Sequence, residues 1–190
     1  EASKRRDFTI NALLLDLKTG KIVDPHGGLK DLQEGVIRHV DDDTFGDDPL
    51  RVLRAMQFAG RFGFDIDEKT IDIAREMPLE SISKERLLEE WSKLLIRSPK
   101  PSIGLEAGKK MGIFEKIHPE LNSSENSSWN QAKSIIDSAA RISREEDLGK
   151  ENQLLFMISA LCRNLNSSDL SSTDRAIKFL DSINAPKAMI

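Results

Sequence analysis

The chain has 190 residues, 38% hydrophobic and 32% charged, with a formal net charge of −4. That length allows one domain or two small ones, and the balance is that of an ordinary globular protein whose RNA contacts, if any, must come from local basic patches. No apolar run approaches the roughly 20 residues that span a bilayer, no signal-peptide pattern follows Glu1, and the single Cys162 excludes an internal disulfide framework or a cysteine zinc site, so a reducing, cytoplasmic setting is expected.

In chain order, residues 7–16 alternate and then run apolar, which predicts a buried strand. Lys18-Thr19-Gly20 marks a turn, with Ile22-Val23 pairing back as the second strand of a hairpin. Asp24-Pro25-His26-Gly27-Gly28 predicts a loop with a flexible joint at its two glycines. A short helix over Leu29–Gln33 and a short strand at Val36–Val40 follow. After Asp41 the pattern becomes helical. Asp48 as cap and Pro49 at the first position start a helix that carries Leu50, Leu53, Met56 and Phe58 near one side and Arg51, Arg54 and Gln57 on another. Further helices are expected near Asp67–Glu76, Lys84–Arg97 and Ser102–Met111, then a polar linker over residues 122–128, then apolar-periodic segments at about 129–142, 151–165 and 173–182. The fold class is α+β: a small β piece at the start and an all-α body.

Two segments have the chemistry to hold a nucleotide. Arg5, Arg6 and Asn11 beside a buried strand suit phosphate and ribose. The same residues also fit a strand flanked by solvated charge. In Asp47-Asp48-Pro49-Leu50-Arg51-Val52-Leu53-Arg54, an Asp and an Arg stand one helical turn apart. Cytosine and adenine both present an amino donor beside a ring-nitrogen acceptor. A carboxylate takes the first and a guanidinium serves the second, whereas guanine and uracil present the reverse pattern. From these residues alone, a helix cap with snorkelling arginines is the simpler explanation. The three histidines, His26, His39 and His118, are scattered and are expected to be surface or packing residues.

Taken together, Arg5–Ala12, Asp24–Leu32 and Asp47–Arg54 resemble the bacterial-type tRNA nucleotidyltransferases and their poly(A) polymerase relatives, which carry an RRDFTINA segment, then DPxGG-xxDL, then EDPLRxLR. Residues 57–64 match the family's style as well. The resemblance implies that Arg6 and Asp7 lie against triphosphate and ribose with Asn11 in support. It makes Gly27 and Gly28 a hinge between catalytic head and helical neck, has Asp48 and Arg51 pair with the incoming base, and puts Arg54 in an assisting place. Asp47 stands where the family usually has Glu, a shortening expected to loosen a salt bridge that positions Arg51, and Gln57 stands where a further arginine is common.

The same resemblance implies CCA addition to tRNA 3′ ends from CTP and ATP, with Mg²⁺ held by an Asp-x-Asp that precedes the RRDFTINA segment in the family. The chain lacks that motif, opens without Met and stops at Met189-Ile190 in an apolar stretch. A fragment is therefore expected, inactive alone and holding no metal. Addition of A only, poly(A) synthesis, and a non-catalytic RNA- or nucleotide-binding module are the alternatives. The domain expectation is the end of a nucleotidyltransferase head at residues 1–40, a helical neck and body at 41–121, and at 122–190 a further helical region. That last region is either a degenerate, truncated HD-type domain or a set of ordinary amphipathic helices. In the HD reading Gln131 and Arg163-Asn164 replace metal ligands, and Asp137 is kept.

Overall fold

The computed structural model describes residues 3–122, 126–146, 148–163 and 171–185. Phe8 bridges to His39 as an isolated antiparallel pair, and the chain then turns through a 3-10 helix over Thr9–Asn11. Strands β1 (Leu14–Leu15) and β2 (Ile22–Val23) form the expected hairpin around the Lys18–Gly20 turn. Helix α1 spans Gly28–Glu34, and β3 (Val36–Ile37) pairs in parallel with β4 (Asp65–Ile66). Between those strands lie α2 (Asp42–Phe45) and α3 (Leu50–Phe62). The rest is helical: α4 (Glu68–Glu76), α5 (Lys84–Arg97), α6 (Pro101–Lys110), α7 (Ile113–Ile117), a 3-10 turn at Pro119–Leu121, α8 (Asn126–Glu145), α9 (Lys150–Arg163) and α10 (Ser172–Ser182).

Helix α3 is the axis of the core. Leu50, Val52, Leu53, Ala55, Met56, Phe58 and Ala59 are all buried, with α5 and α6 packed against them. So complete a burial needs a small residue where backbones meet. A Cβ at Gly104 of α6 would lie 2.6 Å from the Met56 carbonyl oxygen, so only glycine allows this crossing. Trp91 of α5 fills the centre beneath, edge-on to Phe179 of α10 at 4.8 Å between ring centroids. Its indole N–H donates to His118 Nε2 at 2.9 Å, which makes His118 a buried packing residue. One continuous core thus runs from Phe8 to Ala185.

Four expectations need correction. Residues 7–16 do not form a buried strand. Phe8 and Ala12 are buried, but the chain turns between them, and Leu14 and Leu15 emerge exposed at 46% and 60%. The apolar run serves two different layers, which a single period cannot express. Gln57 does not share the polar side of α3; it is buried, because α3 is enclosed almost all round. The expected linker at 122–128 is helical from Asn126, and residues 123–125 lie outside the described residues. The strand expected at Val36–Val40 stops at Ile37, and its partner β4 went unpredicted because two residues carry no periodicity.

Candidate nucleotide-binding site

The N-terminal end of α3 is built by its own sequence. Asp48 Oδ1 accepts the Leu50 N–H at 3.1 Å, meeting an N–H that has no partner within the helix. The same carboxylate is gripped from α5, where Arg86 Nη2 lies 3.0 and 2.8 Å from its two oxygens. One turn on, Arg51 is held by two backbone carbonyls, donating from Nη1 to Thr44 at 2.6 Å and from Nη2 to Arg5 at 2.7 Å. Asp47 is exposed and forms no ion pair with Arg51 among the described residues. The expected salt bridge is therefore replaced by carbonyls of α2 and of the segment before Asp7. This makes the shortening from Glu to Asp immaterial to how Arg51 is placed here.

Arg54 and Asp7, both expected to face a nucleotide, are bonded to each other. Arg54 donates from Nε to Asp7 Oδ2 at 2.7 Å, and its Nη2 lies in ion-pair contact with the same oxygen at 2.6 Å. Asp7 Oδ1 takes the Phe8 N–H at 2.8 Å and Asn11 Nδ2 at 3.1 Å. Asp7 is buried, and this donor set meets the need of a buried carboxylate for charge-assisted hydrogen bonds. Arg6 is different: its side chain is exposed, with no hydrogen-bond or ion-pair partner among the described residues. It is free to meet an anion.

The segment from Asp24 to Asp31 locks the other side. Asp24 accepts the N–H groups of Gly28 at 2.8 Å and Leu29 at 3.0 Å, capping α1. The Leu29 N–H bond leads in holding the Asp24 carboxyl below its usual range. Gly28 is buried with no room for a side chain: a Cβ there would sit 2.2 Å from the Thr9 carbonyl oxygen. Gly27 has φ +75°, a left-handed conformation that favours glycine. Of the two glycines expected to form a hinge, Gly28 thus lies in a close-packed corner, while Gly27 is exposed with open space around it. Asp31, also buried, accepts from Thr9 Oγ1 at 2.6 Å and pairs with Arg38 at 3.2 Å, and Arg38 continues to Asp67 at the start of α4.

Sequence reasoning missed Thr44, Arg86 and Glu90. Thr44 lies on a four-residue helix, too short to leave a pattern. Arg86 meets Asp48 only through the fold. Glu90 did leave a signal: it falls on the apolar stripe of Leu87, Trp91 and Leu94, and it is buried with them, 4.0 Å from Arg54. In the C-terminal region Gln131 is exposed, and Asn164 lies outside the described residues. Asp137 accepts the Ser102 N–H at 3.0 Å and the Ser102 hydroxyl at 2.7 Å, so it serves the first turn of α6. Among the described residues no cluster of three His, Cys, Asp or Glu side chains offers a metal site, and no helix is long and apolar enough to cross a membrane.

The site is thus a helical body with Asp48 and Arg51 one turn apart at the start of α3, fastened to a short segment that carries Arg5 and Arg6. Residues 1–38 match the model of the poly A polymerase head domain, and residues 63–125 match that of the probable RNA and SrmB-binding site of polymerase A. The multifunctional CCA protein of Stenotrophomonas maltophilia (strain K279a) is 42% identical over 128 residues, covering 64% of this chain and 31% of that protein. Its counterpart in Neisseria gonorrhoeae (strain NCCP11945) is 41% identical over 123 residues, covering 62% and 29%. Among solved structures, a CCA-adding enzyme with ATP superposes with a TM-score of 0.73 at 26% identity, covering 99% of this chain and 44% of that one. The Thermotoga maritima CCA-adding enzyme complexed with tRNA gives 0.71 at 27%, covering 99% and 45%. The chain belongs to the tRNA nucleotidyltransferase and poly(A) polymerase family, and it spans less than a third of the length of these two curated relatives.

Proposed function

We propose that this chain is the nucleotide-selecting and RNA-binding part of a tRNA nucleotidyltransferase that adds CCA to tRNA 3′ ends from CTP and ATP. The observation that carries the reading is the Asp48–Arg51 pair. Each partner is fixed in place yet keeps unused capacity. An ionised carboxylate has about four lone-pair sites and a guanidinium five N–H donors. Leu50 and Arg86 occupy part of the first, and two carbonyls take part of the second. What is left over can accept an amino group and donate to a ring nitrogen, the shared pattern of C and A.

In this reading exposed Arg6 meets the triphosphate, and Arg54, Asp7 and Asn11 form the wall behind the ribose. The helices matched by the RNA-binding family model receive the RNA acceptor end. Residues 1–40 are the end of the head, 41–121 the neck and body, and 122–190 an HD-like tail that has lost its metal ligands. The divalent cation of phosphoryl transfer, Mg²⁺, finds no set of ligands among the described residues, and what these residues do is bind, orient and select. A second reading, addition of A alone or poly(A) synthesis, uses the same pair, since adenine is one of the two accepted bases. The name of the matched head model favours it.

Titration with each nucleotide tests the assignment. ATP and CTP should bind more tightly than GTP and UTP, and Arg51→Ala should erase the difference. Equal affinity for all four nucleotides in the native chain would remove the base-reading role of Asp48 and Arg51.

A further inference from the structure

A carboxylate buried away from water is stable only when its oxygens find donors. Glu90 is 1% exposed and only half provided for. Its Oε1 accepts from Lys93 at 2.8 Å, but Lys93 is shared with Glu89 at 2.7 Å. Its Oε2 is buried without a hydrogen-bond partner among the described residues. The nearest further cation is Arg54, whose Nη1 lies 4.0 Å from Oε1, inside ion-pair range but beyond hydrogen-bond range. Arg54 spends Nε and Nη2 on Asp7 Oδ2 and leaves Nη1 on the Glu90 side.

This arrangement bears on the nucleotide site, because Asp7 as it stands has little to offer a ligand. Phe8 and Asn11 fill its Oδ1, and Arg54 fills its Oδ2. We propose that Glu90 is a second seat for Arg54: when a nucleotide binds, the guanidinium passes from Asp7 to Glu90 and frees Asp7 Oδ2 to accept from a ribose hydroxyl. The shift is small. Closing 4.0 Å to a hydrogen bond of about 2.9 Å takes roughly 1 Å of travel. The guanidinium already lies over the Phe58 ring, 5.3 Å from its centroid, a surface along which it can slide while keeping its cation–π contact. Glu90 gains the guanidinium beside Lys93 at Oε1, which adds a cation to a carboxylate short of donors, and Asp7 exchanges it for a hydroxyl while keeping Phe8 and Asn11. Glu90 never touches the ligand; it is a positioning residue. The proposal rests on the nucleotide-binding reading given above.

The Nε–Hε resonance of Arg54, assigned by its loss in Arg54→Lys, reports which carboxylate holds the guanidinium. Without nucleotide, Glu90→Gln alone should leave this resonance in place. In Asp7→Asn the guanidinium should already sit on Glu90, so adding Glu90→Gln should move it. With ATP or CTP, the resonance should move in the native chain and stay put in Glu90→Gln, whose affinity for both should fall about tenfold, the worth of one hydrogen bond to a charged group. A purely structural role for Glu90 would lower the melting temperature and leave the Arg54 response intact. Wild-type affinity in Glu90→Gln, with the resonance moving on addition of ATP, overturns the proposal. Should Asp7→Asn fail to fold, the nucleotide titrations of Glu90→Gln decide alone. If ATP and CTP leave every resonance of the native chain unmoved while Asp7→Asn behaves as expected, the nucleotide reading fails and the exchange loses its trigger.

Discussion

Replacing Gly28 by alanine adds one methyl group, and the structure specifies what that methyl meets. Built on the existing backbone, the new Cβ lies 2.2 Å from the Thr9 carbonyl oxygen and 2.7 Å from its carbon. Neither atom can swing aside as a side chain would. Thr9 is pinned through its N–H to the Arg38 carbonyl at 2.9 Å and through its hydroxyl to Asp31 at 2.6 Å. Relief therefore requires moving α1 away from residues 9–11, with loss of packing and of the Thr9–Asp31 bond. Overpacking typically costs about 1–3 kcal/mol, and contact with fixed backbone puts this case at about 3 kcal/mol or above. Two neighbours calibrate the number. At Gly27 the Cβ meets nothing within 4 Å but φ is +75°, so the left-handed strain of roughly 1–2 kcal/mol is the main cost. At Gly46, also open but with φ −69°, alanine should be neutral or stabilise by about 0.4–1 kcal/mol through the unfolded state. Urea unfolding of the three variants should rank their midpoints Gly46→Ala, Gly27→Ala, Gly28→Ala from highest to lowest at constant slope. A Gly28→Ala midpoint equal to that of Gly46→Ala would refute the close-packed corner and return the pair to the flexible joint that the sequence suggests.

Asp137 serves the first turn of α6, so Asp137→Ala should lower stability by about 0.5–2 kcal/mol, seen as a lower melting temperature, with no change in metal affinity. A melting temperature unchanged by the substitution, with lost Mn²⁺ binding, would revive a ligand role. Burial pushes the Cys162 thiol up to about 12, so the native chain should resist alkylation at pH 8 and react on unfolding. The sign for stability follows. The folded thiol keeps its proton while the unfolded one releases it near pH 8.5, so Cys162 costs stability as pH rises above about 8.5, by up to about 1.4 kcal/mol per unit. Cys162→Ala should flatten that part of the pH profile, and an unchanged slope would count against the shift.

The longer helices from Asp67 onward were legible because they carry a 3.6-residue apolar period; Lys84–Arg97 falls where its pattern predicts, whereas the five-residue α7 was not foreseen. The short α2 and β4 were not, since they hold too few residues to show a period and exist because neighbours fix them. In the site, residue identities were readable but their partners were not. Nothing local says that Asp7 will meet Arg54, 47 positions away, or that Asp48 will meet Arg86, 38 away. The buried Gln57 and Glu90 show the converse. A polar residue on an apolar stripe is visible in sequence, but periodicity assigns it to the surface unless the whole helix is known to be enclosed.

These pairings change what the three motifs mean. Read along the chain, Arg5–Ala12, Asp24–Leu32 and Asp47–Arg54 look like separate tools, each aimed at a different part of a nucleotide. In the fold they are three sides of one corner. Arg51 holds the Arg5 carbonyl, Arg54 holds Asp7, Asp31 holds Thr9, and Gly28 lies against the Thr9 carbonyl. The arginines of α3 thus set the geometry of the segment that bears Arg6, as well as facing the site themselves. Removing one of them moves the others' partners, so the effects of substitutions in different motifs should fail to add, as expected of residues in a single hydrogen-bonded network. Under the proposed function, base selection by Asp48 and Arg51 and phosphate capture by Arg6 would be coupled through the backbone of residues 5–9. A nucleotide accepted at α3 would then meet a segment already placed for its triphosphate.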